Sequence, residues 1–216
     1  MKNYFHEQGI DEDLVYRFFN IAKNAVVAGV NGSKREFESD VEQYSYRCGK
    51  PVWRNSHIKK KWKEMYIDEI GRNINHLKSH GVDYYMLDGK ALFCFKEMNS
   101  KSMVRGVESK RFKDAMSGNL SKYSTSMLET LAKMGILKPL PIFYIGYILD
   151  FKGSLSDVRV AHYKDGGIDF IMSLMNLDEQ NLFSILNQDD DLPVKPKIEF
   201  INKKKGRSKK DGSTQK

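Results

Sequence analysis

The sequence predicts an α+β fold, in which helices pack on an antiparallel or mixed sheet of five strands. Two observations support this prediction. Apolar residues recur at helical spacing in the first third of the chain, and alternating or continuous apolar runs that are typical of strands follow from residue 82 onward. Because short turns join the strand runs within each part of the sheet, a doubly wound parallel sheet is disfavoured.

The first third of the chain predicts three helices. Acidic residues at 11–13 mark the start of the first helix, and its two apolar stripes run to about Gly29. A short surface helix is predicted within 34–47, and the Gly-Lys-Pro sequence that follows is expected to stop it. The third and longest helix is predicted to run from its N-cap, Ser56, to about Ser79.

The remainder of the chain predicts five strands, a hairpin followed by a three-stranded meander. They are placed at about 82–87, 90–96, 141–150, 156–163 and 168–174. An Asp-Gly pair at Asp88 joins the first two strands, because both central residues of a type I′ turn need positive φ. Alternation places Phe170 and Met172 together on the buried face of the last strand. Shorter helices are predicted near 109–117, 128–134 and 182–186.

Length and composition predict one folded domain with a tail. The chain has 216 residues, 40% of them hydrophobic, which suffices for a sizeable core. We expect a single domain over 1–190 and a basic, largely disordered tail over 191–216. The longest nearly apolar stretch, 139–149, is too short to span a bilayer, and the N-terminus lacks the apolar region of a signal peptide. These observations predict a cytoplasmic protein with no membrane partner.

Most of the net positive charge lies in the predicted tail. The chain has a net charge of +8, and residues 195–216 contain nine basic and two acidic residues, so the rest of the chain is close to neutral. The segment from about residue 201 has no aromatic residue and cannot bury enough area to offset the entropy of ordering. A disordered basic segment of this kind attracts polyanions through counterion release.

The tail therefore supplies the predicted nucleic-acid contacts. These are Lys203, Lys204, Lys205, Arg207, Lys209 and Lys210. We expect DNA or RNA to bind weakly and without sequence preference, with most of the affinity in 203–216 and a log-log salt slope of roughly −4 to −5 on duplex DNA. Three alternatives remain open: a tail that serves only solubility, a tail that contacts an anionic membrane surface, and a protein partner in place of nucleic acid.

Two further basic segments are weaker candidates for phosphate contact. Lysines at 59–63 lie beside Trp53 and Trp62, and basic residues interleaved with aromatics can neutralise phosphates and stack on bases. The competing interpretation is a solvated helix start with Trp62 in the core. Six basic residues also lie in the Ser-rich segment 101–122, which suits either a phosphate-contacting loop or a plain polar loop.

The motifs that define the common enzyme classes are missing from the sequence. It contains no GxGxxG, GxxxxGK[ST], HExxH, GxSxG or CxxC, so we favour a protein that is not an enzyme and has no cofactor. His76 and His80 are four apart on the longest predicted helix, as two metal ligands would be, with Glu69 on a similar bearing. Further ligands cannot be identified, and we predict no metal site. Cys48 and Cys94 are expected to be reduced structural thiols.

A PD-(D/E)xK-like nuclease is the enzymatic alternative. Such an enzyme needs two carboxylates that hold Mg²⁺ and a lysine beside the attacked phosphate. Asp150 and Lys152 follow a predicted central strand, and Asp88 or Asp83 could serve as the second carboxylate. Against this interpretation, a hairpin turn favours Asp88 for its conformation alone. Triplets of the (D/E)xK type also arise by chance in a chain so rich in charge.

Three segments resemble a group of bacterial and phage-borne proteins. They are ALFCFKEMN at 91–99, LPIFYIGYILD at 140–150 and VRVAHYKDGGIDFIMSL at 158–174. Members of the group share a hairpin that ends in a Phe-Lys pair, a Gly-Tyr-x-Leu-Asp strand and a strand pair with a turn between. Their genes often lie beside those for regulators and IrrE-like peptidases on mobile elements. The resemblance covers about 84–174 and assigns no activity and no catalytic residue.

Together these observations favour binding over catalysis. We predict a non-catalytic protein of bacterial or phage origin that interacts with nucleic acid, a protein partner or both. The resemblance implies a setting in regulation or phage–host conflict.

Overall fold

The computed structural model describes residues 4–40, 49–79, 81–104, 125–138, 140–165 and 167–177. Within these ranges the helices are α1 (Tyr4–Glu7), α2 (Glu12–Ser39), α3 (Gly49–Ile70) and α4 (Thr125–Lys133), with a 3₁₀ turn at Gly71–Asn73. The strands are β1 (Ile74–Ser79), β2 (Val82–Leu87), β3 (Ala91–Met98), β4 (Ile142–Leu149), β5 (Leu155–Lys164) and β6 (Gly167–Ser173).

The six strands form one mixed sheet in the order β1-β2-β3-β4-β5-β6. Strands β1 to β3 pair antiparallel, as do β4 to β6, and a parallel pairing of β3 with β4 joins the two halves, with Phe95 opposite Ile145. The α+β class and the mixed sheet are confirmed. The prediction of five strands arranged as a hairpin and a meander is wrong, because the sheet is continuous and has a sixth strand, β1.

Strand β1 lies where the sequence pattern predicts the end of a helix, because its apolar spacing is ambiguous. Ile70, Ile74 and Leu77 follow one another at helical intervals, but α3 ends at Ile70 and the 3₁₀ turn leads into the strand. On β1, Ile74 and Leu77 belong to separate core clusters, as residues three apart on a strand should, since they point to opposite faces. Two apolar residues are too few to distinguish the 3.6-residue period of a helix from the two-residue period of a strand.

Helix α2 is one helix of 28 residues where the sequence predicts two. It begins at the N-cap Asp11, whose Oδ1 accepts a hydrogen bond from the Leu14 backbone N–H at 3.0 Å. Gly29 does not end the helix, because it lies where α2 packs on α3. A Cβ atom at this position would lie 2.6 Å from the Cα and N atoms of Ile58. The Gly-Lys-Pro sequence opens α3 instead of ending a helix, with Pro51 in the first turn.

The two faces of the sheet are packed differently. Helices α1, α2 and α3 cover one face, and their buried aromatic residues contact those of the strands. The ring centroid of Phe18, for example, lies 5.1 Å from that of Trp62 and 4.4 Å from that of Phe93. The other face carries a second buried cluster that includes Leu131 of α4 and Cys94 of β3. Trp62 is fully buried, which confirms its interpretation as a core residue.

Several finer predictions can be checked against this packing. Phe170 and Met172 are both buried on the helix-covered face of β6, as predicted. Cys94 is a free and buried cysteine, as predicted for a structural thiol, and burial raises the pKa of its thiol to about 12. Cys48, the helices predicted near 109–117 and 182–186, and the C-terminal tail lie outside the described residues. None of the described helices has the length and apolarity needed to cross a membrane.

Candidate functional site

A groove lined by basic side chains lies where the C-terminal part of α2, the start of α3 and the β4–β5 turn meet. Its volume is about 260 Å³. We call it the basic groove, and its charged and aromatic lining residues are Lys34, Phe37, Glu38, Lys50, Arg54 and Lys152. Helical spacing explains the lining, because residues three or four apart on α2 and on α3 lie on one face of each helix.

Arg54 anchors the groove to the sheet. Its Nη1 lies 3.1 Å from Oε2 of Glu97 on β3, and both side chains are largely buried. A buried ion pair of this kind needs both partners, because either charge alone would be desolvated without compensation. Arg54 therefore holds α3 on the sheet and is not an open cation for a ligand.

Lys34 joins α2 to the β4–β5 turn. Its Nζ donates a hydrogen bond to Oγ of Ser154 at 2.8 Å and lies 3.8 Å from Oε1 of Glu38. The second contact is partly exposed and spans one helical turn, so its contribution to stability is small. The Lys34 ammonium keeps capacity for an anion in the groove, since it has three donors.

Lys50 and Lys152 are the two cations of the groove whose neighbours are aromatic rings. The Nζ of Lys50 lies 5.8 Å from the ring centroid of Phe37, and that of Lys152 lies 5.5 Å from the ring centroid of Phe151. Among the described residues neither lysine has a carboxylate partner. A ring attracts an ammonium group without neutralising it, so both charges remain open to an anionic ligand.

Asp150 orders the turn that carries Phe151 and Lys152. Its Oδ1 accepts hydrogen bonds from the backbone N–H groups of Lys152 and Ser154, both at 2.8 Å. Gly153 follows with φ +76°, a conformation that glycine adopts without strain. This is the behaviour of a turn-forming aspartate, and it explains the position of Asp150 without a catalytic role.

The structure does not bring Asp88 and Asp150 together. Asp88 and Gly89 form the β2–β3 turn with φ +50° and +68°, as the predicted type I′ hairpin requires. Asp88 precedes β3 and Asp150 follows β4; because these strands are parallel, the two carboxylates lie at opposite ends of the pair. Of these two carboxylates, only Asp150 lies near Lys152. The described residues contain no group of three or more His, Cys, Asp or Glu side chains placed to hold a metal ion.

Asp83, the third candidate carboxylate of a nuclease, is already paired. Its Oδ1 lies 2.9 Å from Nε2 of His76, and Oδ2 accepts a hydrogen bond from Nζ of Lys59. Burial acts to raise the pKa of Asp83, but these two hydrogen bonds and charges outweigh it and lower the pKa overall. This cluster joins α3 to the β1–β2 hairpin.

The predicted spacing of two histidines on a helix is wrong, because His76 lies on β1 and its ring stacks on that of Tyr85. Glu69 lies on α3 and His76 on β1, so the two do not share one face of a helix. His80 lies outside the described residues.

Two of the four lysines at 59–63, and both tryptophans, are engaged in contacts within the protein. Lys59 is paired with Asp83, and Lys61 lies 2.7 Å from Oε2 of Glu64. Trp62 is in the core, while Nε1 of Trp53 donates to Oε2 of Glu36 at 2.8 Å. The competing interpretation, a solvated helix, describes these residues better.

Sequence reasoning does not reveal the basic groove because its residues are far apart along the chain. Lys34 contacts Ser154, 120 positions later. The one local signal is the exposed Phe151-Lys152 pair directly after the β4 strand, and in the sequence alone Lys152 stands out only as part of a nuclease motif. The predicted contact residues of the tail, at positions 203–205, 207, 209 and 210, lie outside the described residues.

No model of a known protein family, no curated protein and no solved structure matches the chain.

Proposed function

We propose that the chain is a non-catalytic binding protein that holds the phosphate backbone of nucleic acid at the basic groove. The observation that carries this proposal is the pair Lys50 and Lys152, two ammonium groups on one groove with no carboxylate partner among the described residues. Phosphate oxygens accept charge-assisted hydrogen bonds from such groups. The basic tail adds attraction at longer range, and the setting is bacterial or phage regulation or phage–host conflict.

Charge and position both support a phosphate ligand. The groove lining has four basic side chains and one acidic side chain, Glu38. Because Arg54 is also paired with Glu97 of β3, an excess of two positive charges remains. Its three candidate contact lysines, Lys34, Lys50 and Lys152, come from three separate elements and converge on one opening. The Arg54–Glu97 pair and the Asp150 turn hold those elements, so little ordering is needed when an anion binds.

A charge-matched pair of variants tests the proposal. In the full-length protein, Lys34, Lys50 and Lys152 are each replaced by Gln; in the control, Lys60, Lys61 and Lys63 of α3 are each replaced by Gln. Both variants lose three positive charges, but only the first loses them in the groove. Labelled 20-residue DNA and RNA, single-stranded and duplex, are titrated with each protein at one fixed salt concentration.

The groove variant should bind roughly tenfold more weakly or worse, because each lysine–phosphate pair contributes about 0.5 to 1 kcal/mol, while the control stays within about twofold of the parent. An equal reduction in both variants would mean that net charge alone matters and that the groove is not a site. A parent protein that binds no nucleic acid at physiological salt would instead favour the protein-partner alternative.

A further inference from the structure

We infer that the basic groove takes single-stranded nucleic acid and that Phe151 is a stacking platform for one of its bases. The inference rests on the proposed function and goes beyond it in naming the form of the ligand. Three observations support it: the exposure of Phe151, the way in which its turn is held, and the small volume of the groove beside it.

Phe151 presents its ring to solvent at the tip of the β4–β5 turn. Its exposed fraction is 95%, and it is flanked by Lys152, whose Nζ lies 5.5 Å from the ring centroid. The turn is ordered by the two 2.8 Å hydrogen bonds to Asp150 and by Gly153. Because the backbone of the turn is already ordered, only the side-chain torsions of Phe151 have to be fixed when a flat partner covers the ring.

The groove is smaller than the pockets that enclose a whole drug-sized ligand. Its volume of about 260 Å³ is below the roughly 300 to 1,000 Å³ of pockets that enclose drug-sized ligands. We therefore place the phosphate of a nucleotide against Lys50 and Lys152 and its base at the rim of the groove. Phe151 adjoins Lys152, a residue of the groove lining, so the base and the ring meet there.

Stacking on Phe151 requires a base whose face is free. In a duplex both faces of each internal base are covered by its neighbours, so only the backbone can reach the groove lysines. In a single strand the bases can splay out and stack on aromatic side chains, and every base has a face to offer. An aromatic ring beside a lysine matches the base and phosphate of one nucleotide, and it predicts no sequence preference.

Substitution of Phe151 in the full-length protein tests this inference, because a side chain that is 95% exposed can be changed without disturbing the core. The variants are Phe151→Ala, Phe151→Leu, which keeps an apolar side chain without a ring, and Phe151→Trp. Leu137→Ala is the matched control, since Leu137 is another exposed apolar residue, at 87%, and lies outside the groove. Each protein is titrated with labelled oligothymidylate of 12 residues and with a 12-base-pair duplex.

We expect Phe151→Ala and Phe151→Leu to bind oligothymidylate about tenfold more weakly, because stacking on one base is worth roughly that factor, with duplex affinity unchanged. Phe151→Trp should keep single-strand affinity, and the introduced indole should lose fluorescence when the strand binds. Leu137→Ala should match the parent.

Three results would overturn the inference. If the parent and Phe151→Ala bind the single strand with equal affinity, Phe151 does not stack on a base, but phosphate binding at the groove is not contradicted. An equal reduction for single strand and duplex makes Phe151 a general contact. If the parent binds neither ligand, the proposed function is overturned as well. If the parent then binds phosphatidylserine vesicles and this binding depends on Phe151, the groove is a membrane contact.

Discussion

His162 is a buried histidine whose protonation opposes folding. Its side chain on β5 is 12% exposed, and its ring centroid lies 5.2 Å from that of Phe143. Burial, with the charge of Lys164, lowers the pKa of His162 to about 4. Nδ1 lies 3.4 Å from Oδ2 of Asp169, but because the ring is uncharged at neutral pH, this contact is not an ion pair there.

The lowered pKa predicts a loss of stability in mild acid. In the unfolded chain a histidine has a pKa of about 6.5, so the unfolded state takes up the proton first as the pH falls. Stability is complete above about pH 6.5, declines toward pH 4, and at pH 5 is reduced by about 2 kcal/mol. Urea unfolding at pH 7 and pH 5 measures the free energy of unfolding at each pH. Its decrease between the two should be smaller by this amount in His162→Gln than in the parent. Equal drops in the two proteins would contradict the prediction.

Asp150 offers a second prediction at the scale of a residue. Asp150→Ala removes the acceptor of two backbone hydrogen bonds and should lower the free energy of unfolding by about 1 kcal/mol, whereas Asp150→Asn keeps an acceptor oxygen and most of the stability. Urea unfolding measures the difference. Mg²⁺-dependent plasmid cleavage by the parent that is abolished in both variants would support the nuclease alternative and contradict a purely turn-forming role.

At the scale of elements, the packing of α2 on α3 depends on one glycine. A Cβ at Gly29 would lie 2.6 Å from backbone atoms of Ile58, which cannot move without separating the two helices. We expect Gly29→Ala to cost about 1–3 kcal/mol, the range for overpacked cores. The control is Gly32→Ala in the same helix, where the nearest atom, Nδ1 of His57, is 3.5 Å from the new Cβ.

Gly32→Ala should leave the free energy of unfolding unchanged or raise it by up to about 1 kcal/mol, because alanine has the higher helix propensity. Thermal or urea unfolding of both variants makes the comparison. Similar effects from the two substitutions would show that helix propensity, and not the crossing with α3, determines the role of Gly29.

The elements also show which parts of the fold are readable from the sequence. Strands bounded by turn pairs, such as β2 and β3 on either side of Asp88-Gly89, lie within two residues of their predicted positions. Helix ends do not, because Gly29 serves a tertiary contact that no local rule reveals. The basic groove could not be predicted for the same reason, since Lys34 and Lys152 meet only once α2 lies over the β4–β5 turn.

At the scale of the whole molecule, positive charge is divided between the groove and the C-terminal segment. Residues 195–216 have a net charge of +7, and the rest of the chain is close to neutral. We expect replacement of the seven basic residues in 203–216 by Ser or Gln, in the full-length protein, to make the slope of log duplex affinity against log salt concentration less negative by about 4 to 5. An unchanged slope would leave the solubility role for this segment.

Contact between the basic groove and phosphates is tested most directly by the salt dependence of binding that remains after the C-terminal charges are removed. Log affinity for duplex DNA is measured against log salt concentration in the tail-neutralised protein, with and without Gln at Lys34, Lys50 and Lys152. Three phosphate contacts predict a slope of roughly −2 to −3 with the groove lysines present and close to zero without them. The same slope in both proteins would contradict the claim.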